Sequence, residues 1–164
     1  MADELRTERL VLRRAAYGDA RAMHRIMSDP RAMRYWSSLP HSDPAQTERW
    51  IASMVEADPA TSDDFIVTLD GELIGKLGGW RLPEIGFLFA SDRWGHGYAS
   101  EALAAFIERR RAIGSTELTA DVDPRNLGAL NLLERAGFEE TGRAEKTFRL
   151  GDEWCDSVYL RLGL

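Results

Sequence analysis

Hydrophobic and polar positions alternate from Thr7 to Arg14, with Leu10 and Leu12 on one face, and the alternation predicts a first strand. From Asp19 the period lengthens to that of a helix carrying Ala20, Met23, Ile26 and Met27. Asp29-Pro30 ends it, because proline disfavours helical backbone in the residue before it. Met33, Tyr35 and Trp36 then form a short apolar-aromatic patch. Ser42 or Asp43 caps a second helix that begins at Pro44 and aligns Trp50, Ile51, Met54 and Val55, with Pro59 past its end. Phe65 to Leu69 and Glu72 to Trp80 read as two strands. Asp70-Gly71 joins them, a dipeptide suited to the left-handed conformations of a tight hairpin.

An apolar run from Glu84 to Ala90, bounded by Pro83 and Ser91, predicts a buried strand. A loop with Gly95 and Gly97 around His96 follows. From Tyr98 the pattern is helical, with Leu103, Phe106, Ile107 and Arg110 at helical spacing as far as about Ile113, and Gly114 stands where a C-terminal cap belongs. Glu117 to Val122 is another strand. Asp123-Pro124 turns into a helix from about Asn126 to Ala136, closed by Gly137. Two long runs, Phe138 to Leu150 and Glu153 to Leu162, meet at Gly151-Asp152. The order is strand, two helices, three strands, helix, strand, helix, two strands. It predicts an α/β domain over residues 1–164, with a mixed sheet of about seven strands and helices on both faces. No repeat, linker or low-complexity tract interrupts it.

A strand that passes through two glycines into a helix N-terminus is a candidate anion site. Glycine lets the backbone turn sharply and lets a ligand come close. The first-turn amides of the helix lack partners in the chain, and the helix dipole adds partial positive charge. A GxG before a helix is a short signal, so nucleotide folds need testing. There is no GxxxxGK[ST], which excludes a P-loop. The loop is not in a first βα unit with an acidic residue about 20 positions on, which argues against a dinucleotide fold.

Charge changes the picture in one respect. The net charge of -6 argues against non-specific nucleic-acid binding and favours a cationic substrate. Any positive potential for an anion must then be local, and Arg93, His96, Arg109, Arg110, Arg111, Arg125 and Arg135 are the candidates. For Arg110 and Arg111 the expected reading is a solvated helix end that favours the dipole. No apolar run approaches the roughly 20 residues of a membrane span. The start MADELRTERL lacks the basic-then-apolar layout of a leader. The single cysteine, Cys155, excludes an internal disulfide and fits a reducing cytoplasm. His24, His41 and His96 are scattered, without zinc spacing, and the first two read as surface residues.

The string DRWGHGYASEAL resembles the pyrophosphate-binding loop of the GNAT superfamily of acyl-CoA-dependent N-acyltransferases. Its form is most similar to the ribosomal-protein (RimJ/RimL-type) branch. A second segment, VDPRNLGALNLLERAGFEETG, is similar to that branch's "Asn … Glu-Lys-x-Gly-Phe" motif at Asn126, Glu134, Arg135, Gly137 and Phe138. The likeness runs from ERLVLRRA to GDEWCDSVYLRL. It implies a largely antiparallel sheet in which the strand before the loop and the next one run parallel and splay, so that pantetheine amides fill the gap as an added strand.

The resemblance also implies roles. Backbone amides from Trp94 through Gly95, His96, Gly97 and Tyr98 to Ala99 would hold the pyrophosphate of acetyl-CoA, with Arg93 beside them. Gly86, Phe87, Leu88 and Phe89 would pair with pantetheine. Asn126 is either a helix cap or a contact to the cofactor region, and Asn131, one turn along, is a further candidate. Glu84 opens an E-I-G-F pattern similar to the strand that carries the catalytic glutamate in histone-type members, so it is the candidate base. The oxyanion would be held by a backbone N–H near Leu88. Three departures stand out: Asp92 where the family usually has Gln or Arg, Leu133 where many members have a Tyr acid, and Ala129 where the ribosomal branch has Ser. The expected activity is direct transfer of acetyl to a primary amine of a peptide or small molecule, without metal, nucleic acid or membrane, with a homodimer as the common assembly. The departures keep a non-catalytic acyl-CoA-binding module of the same fold as the alternative. Cys155 offers a covalent route only if it is exposed and activated. Trp36, Trp50, Phe148 and Trp154 read as core, although in the family these regions flank the acceptor.

Overall fold

The computed structural model describes residues 3–164; Met1 and Ala2, where the segment read as lacking a leader begins, lie outside them. The first predicted strand folds back on itself. β1 (Glu4–Arg6) pairs antiparallel with β2 (Leu10–Arg13), and the Thr7 hydroxyl accepts the Leu10 amide at 2.9 Å to close the turn. The sheet therefore has eight strands rather than about seven.

α1 (Ala20–Met27) and α2 (Pro44–Val55) follow. Asp43 caps α2 by accepting the Ala45 amide at 2.9 Å, and Gln46 reaches back to the Asp43 amide. β3 (Asp63–Leu69) and β4 (Glu72–Arg81) form the expected hairpin, with Asp70 and Gly71 at φ 50° and 82°. β3 starts two residues earlier than its apolar run, at Asp63 and Asp64, both of them buried and ion-paired. Next come β5 (Glu84–Phe89), α3 (Tyr98–Ile113), β6 (Glu117–Val122), α4 (Leu127–Arg135), β7 (Glu139–Leu150) and β8 (Glu153–Gly163).

The strands lie in the order β1-β2-β3-β4-β5-β6-β8-β7, antiparallel except for β5 beside β6. Each face of the sheet has its own core. Phe106, Leu103 and Ile107 of α3 and Leu132 and Leu133 of α4 pack with Leu12, Phe65, Leu77 and Ile85. Met23, Ile26 and Met27 of α1 and Ile51 of α2 pack with Ile66, Leu73 and Leu88 on the opposite face. Burying such side chains stabilises the fold by about 1.5–3 kcal/mol each.

Two polar clusters tie the helices to these cores. Asp63 accepts Arg14, Arg109 and Arg110 at 2.8–2.9 Å. Burial works to raise the Asp63 pKa, but the three guanidiniums hold it below the ordinary carboxylate range. Arg109 and Arg110 thus serve the fold, and Arg110 is no solvated helix end; Arg111 is exposed, beside Glu108. His24 and His41, expected on the surface, both place Nδ1 2.7 Å from the buried Thr47 hydroxyl, so they join α1, α2 and the loop between them.

Candidate active site

β5 and β6 meet at a single register position, Glu84 opposite Thr119, where the Thr119 amide donates to Pro83 O at 2.9 Å. Beyond it the two strands part. On the other side of β5 the ladder to β4 is regular from Gly86 to Phe89, with Ala90 N donating to Ile74 O and Lys76 facing Leu88; its register shifts only between Gly78 and Arg81. Amides alternate in direction along such a ladder, so Leu88 N–H, like Ala90 N–H, points at β4. The amides turned toward the gap are those of Phe87 and Phe89. The Leu88 amide itself, expected near the oxyanion, therefore faces β4 and not the gap. The Phe89 carbonyl is taken by Trp94 Nε1 at 3.1 Å, which pins the start of the loop to the end of the strand.

The loop itself is an array of open donors. Gly95 and Gly97 have φ of 77° and 80°, and Gly97 occupies the cap position of α3. Among the described residues, the amides of 95 to 100 donate no hydrogen bond. Trp94 N reaches Ser91 O at 3.5 Å, so the open array begins at Gly95 rather than Trp94. The side chain of Arg93 turns away, bound to Glu72 at 2.6 Å, and Asp92 is exposed. Support for the loop comes instead from Arg9, which the sequence did not single out. Its Nη1 donates to His96 O at 2.9 Å, its Nε donates to Glu101 Oε2 at 2.7 Å, and its guanidinium lies 4.6 Å from the Tyr98 ring centre. His96 stacks on the same ring at 5.5 Å. Burial works to raise the Glu101 pKa, yet Thr7 and Arg9 hold it low, so the carboxylate that fixes Arg9 is charged.

The gap opens into a cleft of about 880 Å³ between β4–β6, α2 and β7. Glu84 lies in its wall. Burial raises the Glu84 pKa, the nearby Asp121 charge raises it further, and Arg81 opposes both. Trp36, Trp50 and Phe148 line the cleft, joined by Tyr35 and the exposed Trp80; Trp36 and Trp50 also pack against the core beneath α1 and α2, and Trp154 is exposed elsewhere. Trp36 reaches over Gly86, 3.9 Å from where a β-carbon there would sit. Asn126 caps α4 by accepting the Ala129 amide at 3.2 Å, and it also lines the cleft. Asn131 and Arg135 are exposed on α4, away from the cleft, and Arg125 is bound to Asp123 and Glu153. Leu133 is fully buried in the core, so it offers the cleft no acid. Cys155 is buried, which removes the covalent route.

A parted parallel pair, open strand amides and an open glycine loop at a helix start fit a pantetheine pyrophosphate. The profile of the acetyltransferase (GNAT) domain matches residues 9–139. The chain belongs to the GNAT acetyltransferase family. With that family come acyl-CoA-dependent acyl transfer and acetyl-CoA as cofactor. This GNAT chain is 29% identical over 150 residues to the uncharacterized N-acetyltransferase p20 of Bacillus licheniformis, covering 85% of the chain and 84% of that protein. It is 31% identical over 104 residues to the L-methionine sulfoximine/L-methionine sulfone acetyltransferase of Pseudomonas aeruginosa, covering 57% of the chain and 60% of that protein. Its fold matches RimL, a ribosomal L7/L12 alpha-N-protein acetyltransferase solved with coenzyme A, at a TM-score of 0.87 over 98% of both chains and 16% identity. Among the described residues no cluster has the makings of a metal site, and no helix is long and apolar enough to cross a membrane.

Proposed function

We propose that the chain acetylates a primary amine by direct attack within a ternary complex, as a RimJ/RimL-type member of its family. The observation that supports this most strongly is Glu84 at the point where β5 and β6 part, so that one carboxylate borders both the gap and the acceptor cleft. Amides 95–100 hold the pyrophosphate, Phe87 and Phe89 pair with pantetheine across the gap, and Asn126 closes its far side. Acetyl-CoA bound there supplies an acetyl group activated as a thioester. The acceptor enters as an ammonium ion, and Glu84, directly or through one water, takes a proton from it so that nitrogen has a lone pair for attack. The raised pKa of Glu84 makes it a stronger base than an exposed carboxylate. A backbone N–H of Phe87 or Phe89 faces the place where negative charge develops on oxygen.

The same reading takes residues 1–164 as one domain in a reducing cytoplasm, on the strength of the free Cys155, and a twofold homodimer as the assembly. The alternative, a binding module without turnover, is favoured by one observation, the burial of Leu133 where an acid would stand. The test is thiol release from acetyl-CoA across a panel of amines, with wild type and Glu84→Gln. Turnover on some amine that falls sharply in Glu84→Gln is the expected result; tight coenzyme A binding with no thiol release on any amine would establish the binding module instead.

A further inference from the structure

One pair of charges in the cleft has no part in this mechanism. Lys76 lies in the middle of β4 at 2% exposure and Asp64 on β3 at 8%. The register sets Asp64 opposite Gly78 and Ile66 opposite Lys76, so the two side chains are diagonal neighbours on the cleft face. Lys76 Nζ is 2.8 Å from Asp64 Oδ1, close enough to pair, but Oδ1 has no hydrogen bond of good geometry. Lys76 makes no other polar contact among the described residues, and Trp36 is beside it at 5.9 Å. Both residues line the cleft. Buried ion pairs add little to stability, and buried donors and acceptors left unfilled are unfavourable. Here an ammonium with spare N–H groups and a carboxylate with an unfilled oxygen both belong to residues of the cleft wall, which Gly86 also lines.

We infer that Lys76 and Asp64 form a recognition subsite for a neutral amide on the acceptor, its carbonyl accepting from Lys76 and its N–H donating to Asp64. The inference rests on the acetyltransferase reading and names the substrate class within it: an α-amine followed by an amide, as at the start of a peptide chain, with an aromatic or apolar side chain against Trp36, Trp50 and Trp80. Charge balance decides against the two simpler classes. A free carboxylate would meet Lys76 but be repelled by Asp64, Glu84 and Asp121. A second ammonium would meet Asp64 but be repelled by Lys76. Only a group with both a donor and an acceptor and no net charge completes both partners.

The experiment uses three matched acceptors, phenylalaninamide, phenethylamine and phenylalanine, with wild type and two variants. Lys76→Met strands Asp64 in the interior, so the second variant removes both charges together, Lys76→Met with Asp64→Leu. Thiol release gives kcat/KM, and quenching of the cleft tryptophans gives affinity for the same compounds without turnover. Wild type is expected to prefer the amide over the plain amine by roughly tenfold or more, as for hydrogen bonds to charged groups, with the free acid last. In both variants the preference should fall toward unity, and this ratio of ratios cancels the different basicities of the amines. A wild type that favours the acid or the plain amine overturns the subsite, and so does an amide preference that survives in the double variant. If no compound yields thiol, the acetyltransferase reading fails, while the quenching affinities still decide the subsite.

Discussion

The glycine loop and the cleft are made from different materials. The loop end is backbone: six consecutive amides, 95 to 100, stand open at the start of α3, and the strand amides of Phe87 and Phe89 continue the array along the gap. The acceptor end is side chains, with Glu84, Asp121, Lys76, Asp64 and a wall of Trp36, Trp50 and Trp80 brought from five elements and a loop. A backbone site binds whatever presents phosphates and amides, and is insensitive to most substitutions except those that alter φ. A side-chain site can be rewritten residue by residue. On the proposed reading, the common cofactor is left to the first kind and the choice of acceptor to the second.

That division can be broken most sharply at Glu84, which stands where the gap begins and lines the cleft. Glu84→Gln should lower kcat by about 100-fold or more, the range for loss of a general base, while coenzyme A affinity measured by calorimetry stays within about twofold. Loss of affinity along with rate would show that the carboxylate also holds the loop end together. In wild type the rate should climb with pH through the raised Glu84 pKa, because only the ionised carboxylate accepts a proton, and that limb should vanish in the variant. At the other end, Gly97→Val places a branched side chain at φ 80°, strained whatever the space, with Arg9 Nη2 3.4 Å from the new β-carbon. The strain of about 1–3 kcal/mol corresponds to roughly 5–150-fold weaker coenzyme A binding, with the acceptor's own affinity unaffected. Unchanged coenzyme A affinity would move the cofactor elsewhere.

The same division explains what could be read without coordinates. Glycines at 95 and 97 mark a candidate backbone site directly, because positive φ restricts residue type, and the Asp70-Gly71 turn was legible for the same reason; the Asp43 cap was legible because a short acceptor side chain suits a helix start. The acceptor end was not. Trp36 and Trp50 look like core residues in the sequence, and only the fold shows that they also line the cleft. Lys76 sits in the apolar run LIGKLGG, and that single charge was a signal available and passed over. Arg9 had none, since its partners His96 and Glu101 are about ninety residues away, set by how the first hairpin packs on α3. That the Leu88 amide faces β4 was not legible either, because the direction of an amide depends on ladder register, which the apolar pattern does not carry.

Arg9 gives a smaller test of whether the loop end is purely backbone. Arg9→Ala should raise KM for acetyl-CoA by about 5–10-fold, the scale of one charge-assisted hydrogen bond and a stacked guanidinium, with kcat little changed. Arg9→Lys should recover little, because an ammonium cannot bond His96 O and Glu101 together while lying flat on Tyr98. Full recovery by lysine would mean that charge alone matters there and not the shape of the loop.

The smallest effect expected is on stability, and it separates function from folding at the shared residue. The Glu84 carboxyl titrates higher in the folded chain than in the unfolded one, first because it is buried and then because Asp121 faces it. Its ionised form is therefore disfavoured in the native state. That cost is absent below the unfolded pKa, grows as pH rises through the folded one and is constant above it. Glu84→Gln, which cannot ionise, should melt at a higher temperature than wild type at pH 7, by no more than a few degrees given about 2–4 °C per kcal/mol for a chain of this size. The difference should shrink to nothing in melts near pH 3, where both side chains are neutral. A variant less stable at pH 7 would mean that Glu84 holds the parted strands in place through its charge. Its position at the mouth of the gap would then belong to the fold before the chemistry.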